Sequence, residues 1–163
     1  MSEGKIERVE DMPVFQVFYR IALEVERLTR DFRSDFRWLR GQLLRSSESV
    51  CANMTEGFYA QYSTEYRQSL FRCRREARET MLHLRYANDV GILTTADYDK
   101  LERDSEDGLH QLSNVIGSID RKIRMYGKSK PDAMLREELA DYEADDAMNH
   151  QPLTINHFPH ESG

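Results

Sequence analysis

Four arginines are the residues whose types and spacing most clearly suggest chemistry. Arg67, Arg74, Arg78 and Arg85 follow one another at steps of seven, four and seven, which puts them on one face of a helix. None of the first three has an acid three or four residues away, whereas Asp89 lies four beyond Arg85. Their neighbours read as neutralised, because Arg72 and Glu76, and Arg75 and Glu79, are i,i+4 pairs. Like charges at this spacing repel by a few tenths of a kcal/mol, so compensation is expected. Phosphates of a nucleic acid would supply it. So would the acid-rich stretch Asp97, Asp99, Glu102, Asp104, Glu106 and Asp107, which an antiparallel hairpin lays beside Arg78 and Arg85. Arg67 and Arg74 are too far along to reach those acids within one subunit. A salt network and an anionic-partner surface both remain open.

A second constellation lies upstream. Trp38, Leu39, Gln42, Leu43, Ser46, Val50, Asn53, Met54 and Gly57 lie along one helical stripe, and Ser46, Ser49, Asn53, Glu56 and Gly57 are small or polar at helical spacing, with Arg45 among them in the chain. Small residues let helices approach closely. A buried Asn or Glu without a partner costs about 1–3 kcal/mol, so each must find one. Arg45 is the candidate partner of Glu56, across to a neighbouring helix or subunit. The stripe reads as a structural polar network in preference to a catalytic carboxylate.

Metal and enzyme signals are sparse. Glu79 precedes His83 by four and Asp107 precedes His110 by three, but no matched pair of Glu-x-x-His motifs occurs, as a di-metal bundle site would need. His157 and His160 make a poor metal site. A glycine-rich phosphate loop, a Gly-x-Ser-x-Gly elbow and a Cys/His nucleophile are all missing. The expectation is a non-enzyme with no metal and no cofactor.

The elements that must position these residues are helices. Pro13 opens the first, over 13–32, with Val14, Val17, Phe18, Ile21, Val25, Leu28 and Phe32 on one face. Ser34 or Asp35 caps the second, over 36–58. Ser63 or Thr64 starts the third, over 63–89, and Gly91 stops it. Thr94 with Asp97 forms an acidic capping box for the fourth, over 95–126, whose buried side runs from Tyr98 to Ile123. Short links between such helices imply an all-α, antiparallel up-down-up-down four-helix bundle over 13–126. Residues 1–12 are a lead and 127–163 a flexible acidic C-terminal tail, expected to be mostly disordered without a partner.

The chain has 163 residues and a net charge of −6. Residues 1–126 hold 20 Lys and Arg against 21 Asp and Glu, and residues 127–163 hold 3 against 8. The bundle is thus near neutral and the tail carries −5, so only a local patch could bind nucleic acid. No apolar run is long enough to span a bilayer, and MSEGKIERVEDMP lacks the apolar core of a signal peptide. Cys51 and Cys73 are the only cysteines, and each falls within a helical pattern as a buried or half-buried thiol. A reducing cytoplasm fits this better than a disulfide framework.

The stretch QLLRSSESVCANMTEGF resembles the signature of the family named for the intervening sequences of bacterial 23S rRNA genes, approximately Q-[IL]-R-R-A-A-x-S-I-x-x-N-I-A-E-G. Gln42, Arg45, Ser49, Asn53, Glu56 and Gly57 match identically. The first helix and NDVGILTTADYDKL agree too, so the likeness covers about residues 9–126. Leu44 replaces an arginine, Ser46 and Ser47 replace alanines, Glu48 replaces an apolar residue, and Tyr59-Ala60 replaces Gly-Arg. The resemblance implies a four-helix bundle that assembles as a homopentamer. It is similar in fold to the accessory subunit of diversity-generating retroelements, which partners a reverse transcriptase and RNA. The function it suggests is a non-catalytic oligomeric scaffold for RNA, a protein such as a reverse transcriptase, or both. The alternative is a protein-only module whose acidic tail binds a basic partner or covers the arginine patch.

Overall fold

The computed structural model describes residues 6–126. Within them lie four α-helices: α1 (Pro13–Thr29), α2 (Arg37–Phe58), α3 (Ser63–Asp89) and α4 (Thr95–Tyr126). Short 3-10 turns at Val9–Asp11 and Ser34–Phe36 precede α1 and α2. Residues 1–5 and the acidic segment 127–163 lie outside the described residues.

Each helix packs against the next in the chain, and α4 returns to α1. Short links make neighbours antiparallel, so the chain runs up, down, up, down around one apolar core. Val14, Val25, Leu39, Leu43, Met54, Leu70, Leu112 and Ile119 are fully or almost fully buried in it. α2 and α3 make the most intimate pair.

The local signals act as chemistry requires. Pro13, with no N–H to leave unsatisfied, is the first residue of α1. The Asp97 backbone N–H donates to Thr94 Oγ1 at 3.1 Å, and that hydroxyl donates to the Asp97 carboxylate at 2.7 Å. Gly91 takes a positive φ of 79°, and the Ile92 and Leu93 N–H groups donate back to Ala87 O. That closes α3 as a left-handed residue does.

Two expectations at the α1–α2 link are corrected. α1 ends at Thr29, with Phe32 held by a turn whose N–H donates to Thr29 O at 3.1 Å. Ser34 and Asp35 cap nothing; they form the 3-10 turn, and α2 starts without a side-chain cap. Among the described residues no helix is long and apolar enough to cross a membrane.

Candidate anion-binding interface

α3 presents two different faces to its neighbours. Toward α2 the approach is close. A Cβ built on Gly57 would lie 2.6 Å from the Ser69 Cβ and 2.8 Å from Tyr66 Cδ2, so only glycine fits there. Further along, Thr80 Oγ1 donates to Ser46 Oγ at 2.8 Å, and Cys73 Sγ donates to Val50 O at 3.2 Å. Ser46 and Ser47, which stand where the family signature has alanines, are both buried.

The polar signature decorates the outer edge of this seam instead of its interior. Gln42, Arg45 and Glu56 are exposed, Ser49 and Asn53 are half-buried, and only Gly57 is buried. Trp38, placed on the inner stripe from the sequence, is 53% exposed and meets Tyr86 edge-on at 5.7 Å between ring centroids. The buried face is Leu39, Leu43, Ser46, Ser47, Val50, Cys51, Met54, Gly57 and Phe58. It is rotated slightly from the expected stripe.

Arg45 does not pair with Glu56. It donates to Glu76 at 3.3 Å and, in a tighter contact, to Glu79, and these carboxylates hold its guanidinium pKa above the ordinary value. Glu56 instead takes Arg72, at 3.3 Å. These cross-helix pairs displace the expected pairs within α3. Glu76 and Glu79 face α2, so Arg72 turns to Glu56 and Arg75 is left without its acid.

Toward α4 the contacts are made by long side chains. Arg67 Nε donates to Asp120, an acid that the sequence reading passed over in favour of the first half of α4. The Arg78 guanidinium reaches Glu106 at 2.9 Å, as the antiparallel hairpin requires. Arg85 keeps to its own helix, 3.9 Å from Asp89, and stands apart from the others. Between the Arg67 and Arg78 contacts sits Phe71. The guanidinium carbons of Arg67 and Arg74 each lie 4.7 Å from its ring centroid. The two guanidinium groups thus share one aromatic ring through cation–π contacts.

Arg74 thus occupies a rung between two filled rungs, and its own rung has no acid. α4 carries no Asp or Glu from Gly108 to Ile119. Nearer the Asp120 end, a Cβ built on Gly117 would meet only Arg121, at 3.7 Å. Among the described residues no carboxylate lies within ion-pair distance of Arg74 or the adjacent, exposed Arg75. Phe71 and Arg75 are the parts that sequence reasoning missed. The acid-free window on α4 was visible in the sequence and would have pointed to the unfilled Arg74 rung.

The 23S rRNA-intervening sequence protein model matches residues 10–114. The chain belongs to this family. Its fold is also that of a crystal structure of a protein of unknown function from the S23 ribosomal protein family of Bacteroides thetaiotaomicron VPI-5482. The TM-score is 0.58 at 24% identity, over 63% of this chain and 97% of that chain. No curated protein matches the chain in sequence. The matched region contains the whole α2–α3 seam and the Arg74 rung but stops short of Asp120, the partner of Arg67.

Other candidate chemistry is held in structural contacts. His83 Nε2 lies 3.5 Å from Glu79, a carboxylate already engaged by Arg45. Among the described residues no three His, Cys, Asp or Glu side chains converge as a metal site would require. His157 and His160 lie outside the described residues. Cys51 and Cys73 are free and buried, and burial pushes both thiols up, Cys51 to about 12. At neutral pH they are protonated and poorly nucleophilic.

Proposed function

We propose that this protein is a non-catalytic, oligomeric interaction scaffold that binds RNA phosphates on the α3 arginines, alone or together with a protein partner such as a reverse transcriptase. The observation that carries the reading is the bare pair Arg74 and Arg75 beside Phe71. Elsewhere on α3 the arginines meet acids of α2, α4 or their own helix; here two exposed guanidinium groups have no carboxylate in ion-pair distance among the described residues. Arginine presents a planar, permanently charged fork suited to phosphate and to stacking on bases. Ring assembly, a pentamer by family resemblance, would repeat the pair around an axis and multiply a weak contact into useful avidity. Exposed Trp38, Leu82 and Tyr86 on the α2–α3 side support burial against another copy. Two reduced, buried thiols fit a cytoplasmic setting.

The test is the mobility of structured RNA across a salt series, for the native chain and for Arg74→Glu/Arg75→Glu. Native binding is expected to fall steeply with salt. The double variant should bind more weakly and lose about one to two units of the log–log salt slope, near 0.7–0.9 for each phosphate contact removed. Equal affinity and slope for both proteins would refute the arginine site. No binding by either at low salt would favour the protein-only module, for which the −5 charge of residues 127–163 is the supporting observation.

A further inference from the structure

We infer that one water molecule is bound at the centre of the bundle, where it joins the hydroxyls of Ser47, Thr80 and Ser105 and so ties α4 to the α2–α3 pair. The inference goes beyond the proposed function, because it concerns the core and holds whatever the surface binds.

Three observations converge. The first is a cavity to which all four helices contribute. Phe18 and Ile21 of α1, Ser47 of α2, Ala77 and Thr80 of α3, and Ser105 of α4 line about 10 Å³ of space open to the centre of a water molecule. All six residues are buried. A water needs about 10–15 Å³ of such space, so the cavity admits one and nothing larger. The second is the lining. Hydroxyls from three different helices meet there, whereas an apolar cavity would stay dry. No charged side chain lines the space, so a metal ion would lack a counter-charge. The third is an unmet donor. Ser105 is 2% exposed, and among the described residues its hydroxyl has no hydrogen-bond partner. A buried hydroxyl in that position is costly unless something accepts its proton.

The proton count closes around a water. Ser47 Oγ donates to Leu43 O at 2.7 Å, and Thr80 Oγ1 donates to Ser46 Oγ at 2.8 Å, with Glu76 O also in reach at 2.9 Å. Both hydroxyl oxygens keep lone pairs with which to accept. A water in the cavity accepts from Ser105 and donates to Ser47 and to Thr80. Those three hydrogen bonds are the usual number for a buried water. Ser46 and Ser47 also stand where the family signature has alanines. With alanine at both, one acceptor of the water and the partner of Thr80 would be lost. The site therefore depends on this chain's own departures from the signature.

The test is oxygen-17 magnetic relaxation dispersion of water in solutions of the full chain, which counts waters held longer than the protein takes to tumble. The variants are Ser105→Val, which removes the donor and fills the space, and Ser105→Thr, which keeps the hydroxyl and adds a methyl group. Ser113→Val, at an exposed position on the same helix, is the control. The native chain and the control are expected to hold one long-lived water more than either Ser105 variant. Equal counts in the native chain and both Ser105 variants would overturn the inference. So would a loss of two or more waters, which would mean a general loosening of the core in place of one site. Unchanged circular dichroism keeps each variant interpretable, and two replacements of different bulk guard against the misfolding of one. No RNA enters this experiment, so its outcome is separate from that of the mobility assay.

Discussion

The α2–α3 and α3–α4 seams use two sides of one helix, and they differ in what fills them. Against α2, α3 places serine, threonine, cysteine and alanine, and α2 answers with Gly57, Ser46 and Ser47. The backbones come close, and the hydroxyls bond to one another or to carbonyls. Against α4, α3 places Arg67, Phe71, Arg74 and Arg78, whose long side chains bridge the seam at its edge. A close-packed seam of small side chains has no spare capacity: adding an atom produces a clash, and removing a hydroxyl strands its partner. A seam bridged by long side chains tolerates an unfilled rung because solvent covers the gap. Packing fixes the first seam, while the second is free to bind something else.

The comparison breaks first at the glycines. Gly57→Ala is expected to cost about 1–3 kcal/mol in urea unfolding, since its Cβ overlaps Ser69 and Tyr66 and neither can retreat from a packed seam. A cost near zero would mean that the α2–α3 approach is looser than described. Thr80→Val removes the donor to the buried Ser46 hydroxyl and is expected to cost about 1–2 kcal/mol by the same measurement, mostly for the stranded polar group. On the other seam the sign reverses. Gly117→Ala meets only ordinary contact at 3.7 Å and should stabilise by about 0.5–1 kcal/mol through helix propensity. A destabilisation would show that the surroundings of Gly117 are tighter than described. Smallest of all, Arg74→Glu should leave unfolding within about 0.5 kcal/mol of native, because an exposed arginine with no ion-pair partner contributes little to stability. A larger loss would point to a structural role for the rung.

Much of the bundle was legible in the chain itself. The bounds of α3 and α4, the Pro13 start, the Thr94–Asp97 box and the Gly91 stop follow from local rules, and the structure obeys them. The arginine stripe was legible as well, along with the Arg78–Glu106 contact that an antiparallel hairpin demands. The Ser34 and Asp35 cap failed because two cap-forming residues beside Phe36 also suit a 3-10 turn, and packing of the link chose the turn.

The sequence by itself determined four amphipathic helices, their polarity and the near-neutral charge of the part they occupy. Periodicity and caps act within a few residues, so they survive without knowledge of the partners. Only the tertiary structure decided which acid each arginine takes. Arg45 captured Glu76 and Glu79, Arg72 went to Glu56, Arg67 found Asp120, and Arg74 and Arg75 were left bare. Those choices depend on how each helix is rotated about its axis. The rotation is set by the fit of Gly57 against Ser69 and of Gly108 against Phe18, contacts between residues far apart in the chain.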